Sequence, residues 1–460
     1  MNDLFPQTIQ DLDAAVRDLG GKAYLVGGGV LNLLRFQEVK DWDIEVFGLS
    51  YQDLEMIANQ FGEADLIGQK FGVVKLKAND LDIELAVPRI ENNVGPGHKD
   101  FDVTLIPDLR LEEAALRRDL TMNAIYLEIG NQKIHDPYNG LVDFQRGIIQ
   151  HINPETFVED PLRAFRVMQL VSRKGKFITQ ETVELCRAMK DACAELSGDA
   201  IYGEFYKMLM LSDRPDRGLR FLRNSGLLRL FPELLALVGC PQKEKYHPEG
   251  DVWTHTQMVL REAAIYRDDL PEEWRLPFMF GMLLHDVGKP ITLDPEKLTT
   301  YDHDSKGKRI ARKFMKRLTK NEDLIKKVES IVGVHMRPRM FLKSHAKAPA
   351  WRRLHNKCPL HILAYVAMCD RDGRGIDPSI REGRGSLVFE ECMRMHVIIG
   401  SHPENIPPVL MGRHLIEAGY KPGTEFGAML NKAYEYQLET GCSDIQELIN
   451  AATNQTKESN

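Results

Sequence analysis

A glycine turn followed by two alternating carboxylates constrains this chain more than any other stretch. Leu25-Val26-Gly27-Gly28-Gly29-Val30 reads as a strand entering a turn and a short helix, and Lys40-Asp41-Trp42-Asp43-Ile44 reads as a second strand. No Cβ blocks the amides of Gly27 and Gly28 from a phosphate, and the N-terminus of the following helix adds a positive field. Asp41 and Asp43 lie two apart, so a strand presents both to one face. Two carboxylates beside a phosphate-cradling turn suit divalent-metal chemistry on a nucleoside triphosphate. Either feature alone is common on ordinary surfaces; their order and spacing together are specific.

Length and composition set the frame. A chain of 460 residues forms several domains with more than one core. No apolar run approaches a membrane span, and Met1-Asn2-Asp3-Leu4-Phe5-Pro6 lacks the basic start and apolar core of a signal peptide. Seven scattered cysteines include no CxxC pair, which points to a reducing compartment. A cytoplasmic protein with no membrane partner is expected. A net charge of −7 does not single out a nucleic-acid binder, because local patches decide that.

Along the first half, Ile9, Leu12, Val16 and Leu19 mark an amphipathic helix ending at Gly20-Gly21. Residues 51–60 read as a helix, and 73–77 and 81–87 as strands by alternation. Asp80, Asp82 and Glu84 share one face of the second strand, either as a solvated surface or with one of them as a third metal carboxylate. Glu91 to Asp100 is polar, glycine-containing and aperiodic, a mobile loop. Leu116-Arg117-Arg118-Asp119-Leu120-Thr121-Met122-Asn123-Ala124 reads on composition as an amphipathic helix with an exposed charged cluster. Glu159-Asp160-Pro161-Leu162-Arg163-Ala164-Phe165-Arg166 reads as a helix start, with Asp160 as N-cap and Pro161 first in the helix. The same geometry sets an acceptor beside a fork of donors. Cytosine and adenine both offer an exocyclic amino group next to a ring-nitrogen acceptor, which Asp160 and Arg163 together would match.

As a set these motifs resemble the nucleotidyltransferase superfamily, in particular the tRNA CCA-adding enzymes and bacterial poly(A) polymerases. The resemblance selects Glu84, through Ile83-Glu84-Leu85-Ala86-Val87-Pro88-Arg89, as the third carboxylate beside Asp41 and Asp43. It implies two Mg²⁺ ions on these residues and nucleotide binding by Gly27 and Gly28. Residues 116–124 are similar to the RRDxTxNA motif, which implies that Arg118, Asp119 and Asn123 contact the phosphates and sugar of the nucleotide. Glu159, Asp160, Arg163 and Arg166 match the fixed positions of EDxxRxxR, the motif assigned to base reading. CTP, ATP and tRNA follow as partners, with the loop at 91–100 implied in the switch from adding C to adding A. His135-Asp136-Pro137-Tyr138-Asn139-Gly140 reads as a structural turn. Two departures stand out. Val30-Leu31-Asn32 replaces the usual Val-Arg-Asp, and Asp199 to Glu204 lacks the usual arginine before its isoleucine.

Histidines become frequent after Cys240. His247 and His255 precede Phe278–Leu284, an apolar helix that runs into His285-Asp286 and closes at Gly288 and Pro290; Asp370 ends another apolar helix. A lone His-Asp at a helix end is usually structural. The order His, His-Asp, distant Asp resembles the HD phosphohydrolase superfamily, which implies a divalent transition metal on His255, His285, Asp286 and Asp370, with His303 and His335 as additional members. Between them lies a basic helix with an apolar stripe of Ile310, Phe314, Met315 and Leu318; its cationic side is either a solvated face or a tRNA surface. Leu410 to Gly423 is similar to bacterial CCA-adding proteins that carry an HD domain.

The expected fold is α+β. A nucleotidyltransferase head with a small mixed sheet spans 1–150, an all-α neck 151–240, an all-α HD domain 241–400 and a helical segment 401–452, with disorder from Ala452 onward. The expected function is template-independent addition of C, C and A to tRNA 3′ ends from CTP and ATP, beside an HD phosphohydrolase. The alternatives are an enzyme adding only A or only CC, and an HD phosphohydrolase whose inactive head binds RNA.

Overall fold

The glycine turn lies at one end of a central strand of a mixed sheet. The computed structural model describes residues 4–65, 71–93, 101–375, 387–402 and 404–453. Its strands are β1 (Lys22–Val26), β2 (Asp41–Phe47), β3 (Glu63–Asp65), β4 (Val73–Ala78), β5 (Leu81–Ala86), β6 (Arg89–Asn93), β7 (Phe101–Leu105), β8 (Tyr126–Glu128), β9 (Ile134–His135), and β10 (Ile148–Ile149) and β11 (Phe177–Ile178), which form a two-residue parallel pair of their own. Among the described residues, seven of these form one sheet in the order β3-β4-β5-β2-β1-β8-β9, and β6 and β7 pair as a separate hairpin. β2 and β5 run parallel, whereas the other neighbours in the sheet are antiparallel. The helix Gln7–Asp18 covers the sheet with Ile9, Leu12 and Val16 buried; Leu19 is left half exposed just beyond its end.

Several expectations are corrected locally. Asn79 and Asp80 both have positive φ and join β4 to β5 in a two-residue turn, so Asp80 leaves the strand face that Asp82 and Glu84 share. Residues 116–124 are not one helix. The helix Leu111–Leu116 stops, Leu120 bridges His151, and Thr121–Ala124 forms a 3₁₀ turn. Pro161 is the cap rather than the first residue of the helix Leu162–Arg173, and the Asp160 carboxylate accepts from the Leu162 amide at 2.9 Å. Glu91 to Asn93 belong to β6, and 94–100, the rest of the expected loop, lie outside the described residues. The turn at 135–140 is as expected: Asp136 accepts from the amides of Gly140 and Leu141.

The chain divides into two compact units, Met1–Met208 with Arg217–Leu230, and Leu209–Asp216 with Phe231–Asn460. The second is helical. Its principal helices are Val252–Tyr266, Glu272–Leu284, His303–Leu318, Glu322–Val334 and Leu360–Asp372. Pro290 does not close the Glu272–Leu284 helix but opens a further short one, Lys289–Thr292. In the basic helix Phe314, Met315 and Leu318 are buried, and three of its cations form ion pairs: Arg312 with Glu322 and Glu329, Lys316 with Glu322, Arg317 with Glu233. Those ion pairs support the solvated, salt-bridged reading for that part of the face. Ala452 is buried within the helix Ile445–Thr453, so order extends past the expected start of the tail; 454–460 lie outside the described residues.

Candidate active sites

In the head, parallel pairing sets Asp41 opposite Asp82 and Asp43 opposite Glu84. Side chains alternate along both strands, so Asp41, Asp43, Asp82 and Glu84 line one cavity of about 520 Å³. Lys75 on β4 pairs with Glu84. Burial and the neighbouring charge of Glu84 push the Asp43 carboxyl up to about 6 against the opposing pull of Arg118. Carboxylates that repel one another on one face make a site that a divalent cation stabilises, so the donor set fits the expected magnesium. Gly27, at φ +64°, forms the turn above; a Cβ there would come 3.7 Å from Asp43 Oδ2 and 3.8 Å from Arg118 Nη1. Glycine is required by the backbone angle, and the turn is thereby brought against both charges.

Sequence reasoning passed over Glu45, the next residue on the Asp41-Asp43 face. It is fully buried and accepts from Arg117 Nη2 at 3.0 Å, Arg118 Nη2 at 2.8 Å and the Tyr126 hydroxyl at 3.2 Å. Burial alone would raise its carboxyl, but the two guanidinium groups hold it at about 2. Arg118 is thus aimed at Gly27 by a carboxylate and a phenol. Asp119, Asn123 and Arg166 are brought together: Asp119 accepts from Asn123 Nδ2 at 2.7 Å and from Arg166 Nε at 2.6 Å. Against its burial, the Arg166 charge holds the Asp119 carboxyl at about 2.

Arg163 differs from expectation. It is buried, and its two terminal nitrogens donate to the carbonyls of Thr156 and Arg117, both at 2.6 Å, so its fork serves the backbone rather than standing open to a base. The unusual Leu31 is buried, and Asn32 Oδ1 accepts from Lys174 Nζ at 2.8 Å, tying the helix after the glycine turn to the end of Leu162–Arg173. Burial and the adjacent Arg173 and Arg35 lower the Lys174 ammonium to about 8. In the segment lacking an arginine, Glu204 is buried and pairs with Lys207 at 2.7 Å.

In the second unit all six expected histidines and aspartates converge. Asp286 is central: Oδ2 lies 3.1 Å from His285 Nε2 and 3.8 Å from His255 Nε2, while Oδ1 lies 3.3 Å from His303 Nε2 and 3.8 Å from His335 Nε2. Asp370 Oδ1 stands 3.0 Å from His255 Nε2. The Nδ1 atoms of His285, His303 and His335 face the carbonyls of Met282, Thr300 and Val332. A carbonyl only accepts, so each Nδ1 carries a hydrogen and Nε2 is the ring nitrogen turned inward. His303 Nε2 and His335 Nε2 are 3.2 Å apart, a contact that needs a proton or a metal ion between them. His285 Nε2 is buried, and the carboxylate oxygen it faces is Asp286 Oδ2. Imidazole and carboxylate donors converging in this way fit a divalent transition metal.

Two supporting residues were not foreseen. Glu249 Oε1 meets His247 Nδ1 in a hydrogen bond of 2.9 Å and lies 2.7 Å from His255 Nδ1, on the side of that ring away from the centre. Lys289, three residues after Asp286, reaches its Oδ2 at 2.7 Å and donates to Gln242. Gly288 permits this packing, because a Cβ there would sit 2.0 Å from the His303 carbonyl oxygen.

A mixed-sheet head with a glycine turn and paired carboxylates, in one chain with a histidine-aspartate centre, defines a nucleotidyltransferase carrying an HD domain. Family models agree: the poly(A) polymerase head domain matches residues 23–150, the probable RNA and SrmB-binding site of polymerase A matches 177–237, and the HD domain matches 252–371. A multifunctional CCA protein from Azoarcus sp. (strain BH72) is 33% identical over 77% of this chain and 84% of its own. One from Pseudomonas fluorescens (strain Pf0-1) is 31% identical over 89% and 96%. The chain belongs to the multifunctional CCA protein family. Its fold is that of the Bacillus stearothermophilus CCA-adding enzyme solved with CTP, at TM-score 0.65 and 19% identity over 98% of each chain. Among the described residues no helix is long and apolar enough to cross a membrane.

Proposed function

We propose that this chain completes tRNA 3′ ends, adding C, C and A without a template from CTP and ATP, and that its HD centre hydrolyses phosphoesters. The observation that carries the first part is the register that sets Asp43 beside Glu84 with Asp41 on the same face. In this reading Asp41, Asp43 and Glu84 would hold Mg²⁺, which would supply Lewis acidity for transfer of the nucleotidyl group to the 3′-hydroxyl. The amides of Gly27 and Gly28 receive the triphosphate, and Arg118 adds a positive charge aimed by Glu45. Asp119 and Asn123 take the sugar, with Arg166 fixing Asp119. Asp160 and Arg163 read the edge common to C and A, with Arg163 exchanging a carbonyl for the base. In the HD centre His255, His285, Asp286 and Asp370, with His303 and His335, hold a divalent transition metal that makes water nucleophilic at neutral pH. The domain limits at 150, 240 and 400 and a cytoplasmic location belong to the same proposal; seven free cysteines support the location.

The test offers purified protein tRNA ending at the discriminator base, at C and at CC, with labelled CTP or ATP and magnesium. Incorporation on all three is expected. None on any overturns the assignment, ATP use on the CC end alone indicates A addition, and arrest at CC indicates CC addition. Engagement of Arg163 with two carbonyls favours one rival, an RNA-binding head without transfer. Asp41→Ala separates them: it should abolish transfer and spare phosphoester hydrolysis, whereas His285→Ala should do the reverse.

A further inference from the structure

The HD centre opens into a cavity of about 250 Å³ that contains His335 and Asp370 in its lining together with three arginines, Arg339, Arg371 and Arg374; its remaining wall is largely apolar. Arg371 is committed to Asp372, with Nε 2.7 Å from Oδ1. Arg374 is different. Its side chain is only 11% exposed, and Nη2 reaches Asp370 Oδ2 at 3.2 Å, on the oxygen that does not face His255. Its Nε is buried and has no hydrogen-bond partner among the described residues. A guanidinium cannot shed its proton, and a buried N–H without an acceptor is costly, so such a group normally awaits an acceptor. A guanidinium N–H makes a strong, charge-assisted hydrogen bond to a phosphate oxygen.

We propose that Arg374 is the phosphate-binding residue of the HD centre, receiving an oxygen of a phosphoester on its Nε while Nη2 stays on Asp370. Arg339 lines the same cavity and adds a second positive charge. The cavity is below the size of common ligand pockets, so it suits a phosphoryl group with part of its alcohol rather than a polyphosphate. The inference rests on reading the centre as a phosphohydrolase, and binding is therefore measured apart from turnover.

The experiment uses the full-length protein loaded with Ni²⁺ or Mn²⁺. Inorganic phosphate binding is followed by calorimetry, metal affinity by titration of the metal-free protein, and hydrolysis with p-nitrophenyl phosphate. Arg374→Lys keeps a cation beside Asp370 but removes the Nε–H donor; Arg374→Gln removes the charge. For Arg374→Lys, phosphate affinity should fall at least tenfold and KM rise in proportion, with metal affinity within threefold of the parent and CCA transfer unchanged. Arg374→Gln, checked for folding by its melting curve, should lose phosphate binding to at least the same extent. Undiminished phosphate affinity in both variants, or loss of metal affinity without loss of phosphate affinity, overturns the proposal and leaves Arg374 as a brace for Asp370. Failure of the parent to bind phosphate overturns it as well. Phosphate binding by the parent that depends on Arg374, without hydrolysis of any ester, supports the site and instead overturns the phosphohydrolase reading.

Discussion

Glu45 is fully buried between two arginines, and the placement of Arg117 and Arg118 depends on it. Its carboxyl is held at about 2 when folded, below the value of about 4.3 for an unperturbed glutamate. A lowered folded pKa contributes stability above the unfolded value, and that contribution is lost as pH falls toward 2. Glu45→Gln should therefore lower stability at pH 7 by about 3 kcal/mol. In urea titrations, the gap between variant and parent should close as pH falls from about 4.3 toward 2. The variant should also raise KM for CTP and ATP, because Arg118 loses the partner that aims it at Gly27. Glu45 continues the alternation of Asp41 and Asp43, so its side of the strand was legible in the sequence. Its burial was not, because Arg117, Arg118 and Tyr126 reach it from far along the chain. Arg163 shows the reverse: its motif was evident, but which acceptors its fork would find depended on carbonyls that no local pattern specifies.

At the scale of elements, strands and helices were readable where period and burial coincide, as in β4, whose residues alternate between outside and core. Reading failed where a turn interrupts a motif. Residues 116–124 carry helix-compatible spacing, yet the Asp119 carboxylate accepts from the Leu120 amide and from Asn123, which favours a tight turn over a continuous helix. Gly288 is the most constrained junction in the helical unit, because it lies against the carbonyl of His303. Gly288→Ala should force the helices Lys289–Thr292 and His303–Leu318 apart. That displaces His303 from Asp286, so a loss of metal affinity of 10-fold or more is expected by calorimetry. Retention of parental affinity with an unchanged melting curve would show that the junction yields without moving the histidine.

For the molecule as a whole, motif order foretold a head followed by helices, and the chain separates into two compact units, with the clustered histidine and carboxylate groups in the second and the facing carboxylates of β2 and β5 in the first. The position of that division was not legible, since Leu209–Asp216 joins the second unit while Arg217–Leu230 returns to the first. Such exchange is a matter of packing across helices, for which hydrophobic period carries no address. A ligand stabilises the unit whose folded form it binds, by about 2.7 kcal/mol at a hundred times its Kd. Adding Ni²⁺ at that level should slow amide hydrogen exchange within residues 252–371 and leave β1, β2 and β5 unchanged. Equal protection of the head strands would show that the head takes the same ion.

The Lys174–Asn32 bond also gives the chain a chemical label of its own. An amine lowered to about 8 is about a quarter uncharged at pH 7.5, whereas ordinary lysines, near 10.4, are almost wholly protonated. Brief treatment with an acylating reagent at pH 7.5, read by peptide mass spectrometry, should therefore modify Lys174 ahead of lysines with ordinary pKa values. Asn32→Asp, which restores the acid common in the family, should return the amine toward its usual basicity and suppress the labelling. One asparagine in place of an aspartate would then have turned a structural tether into a nucleophile.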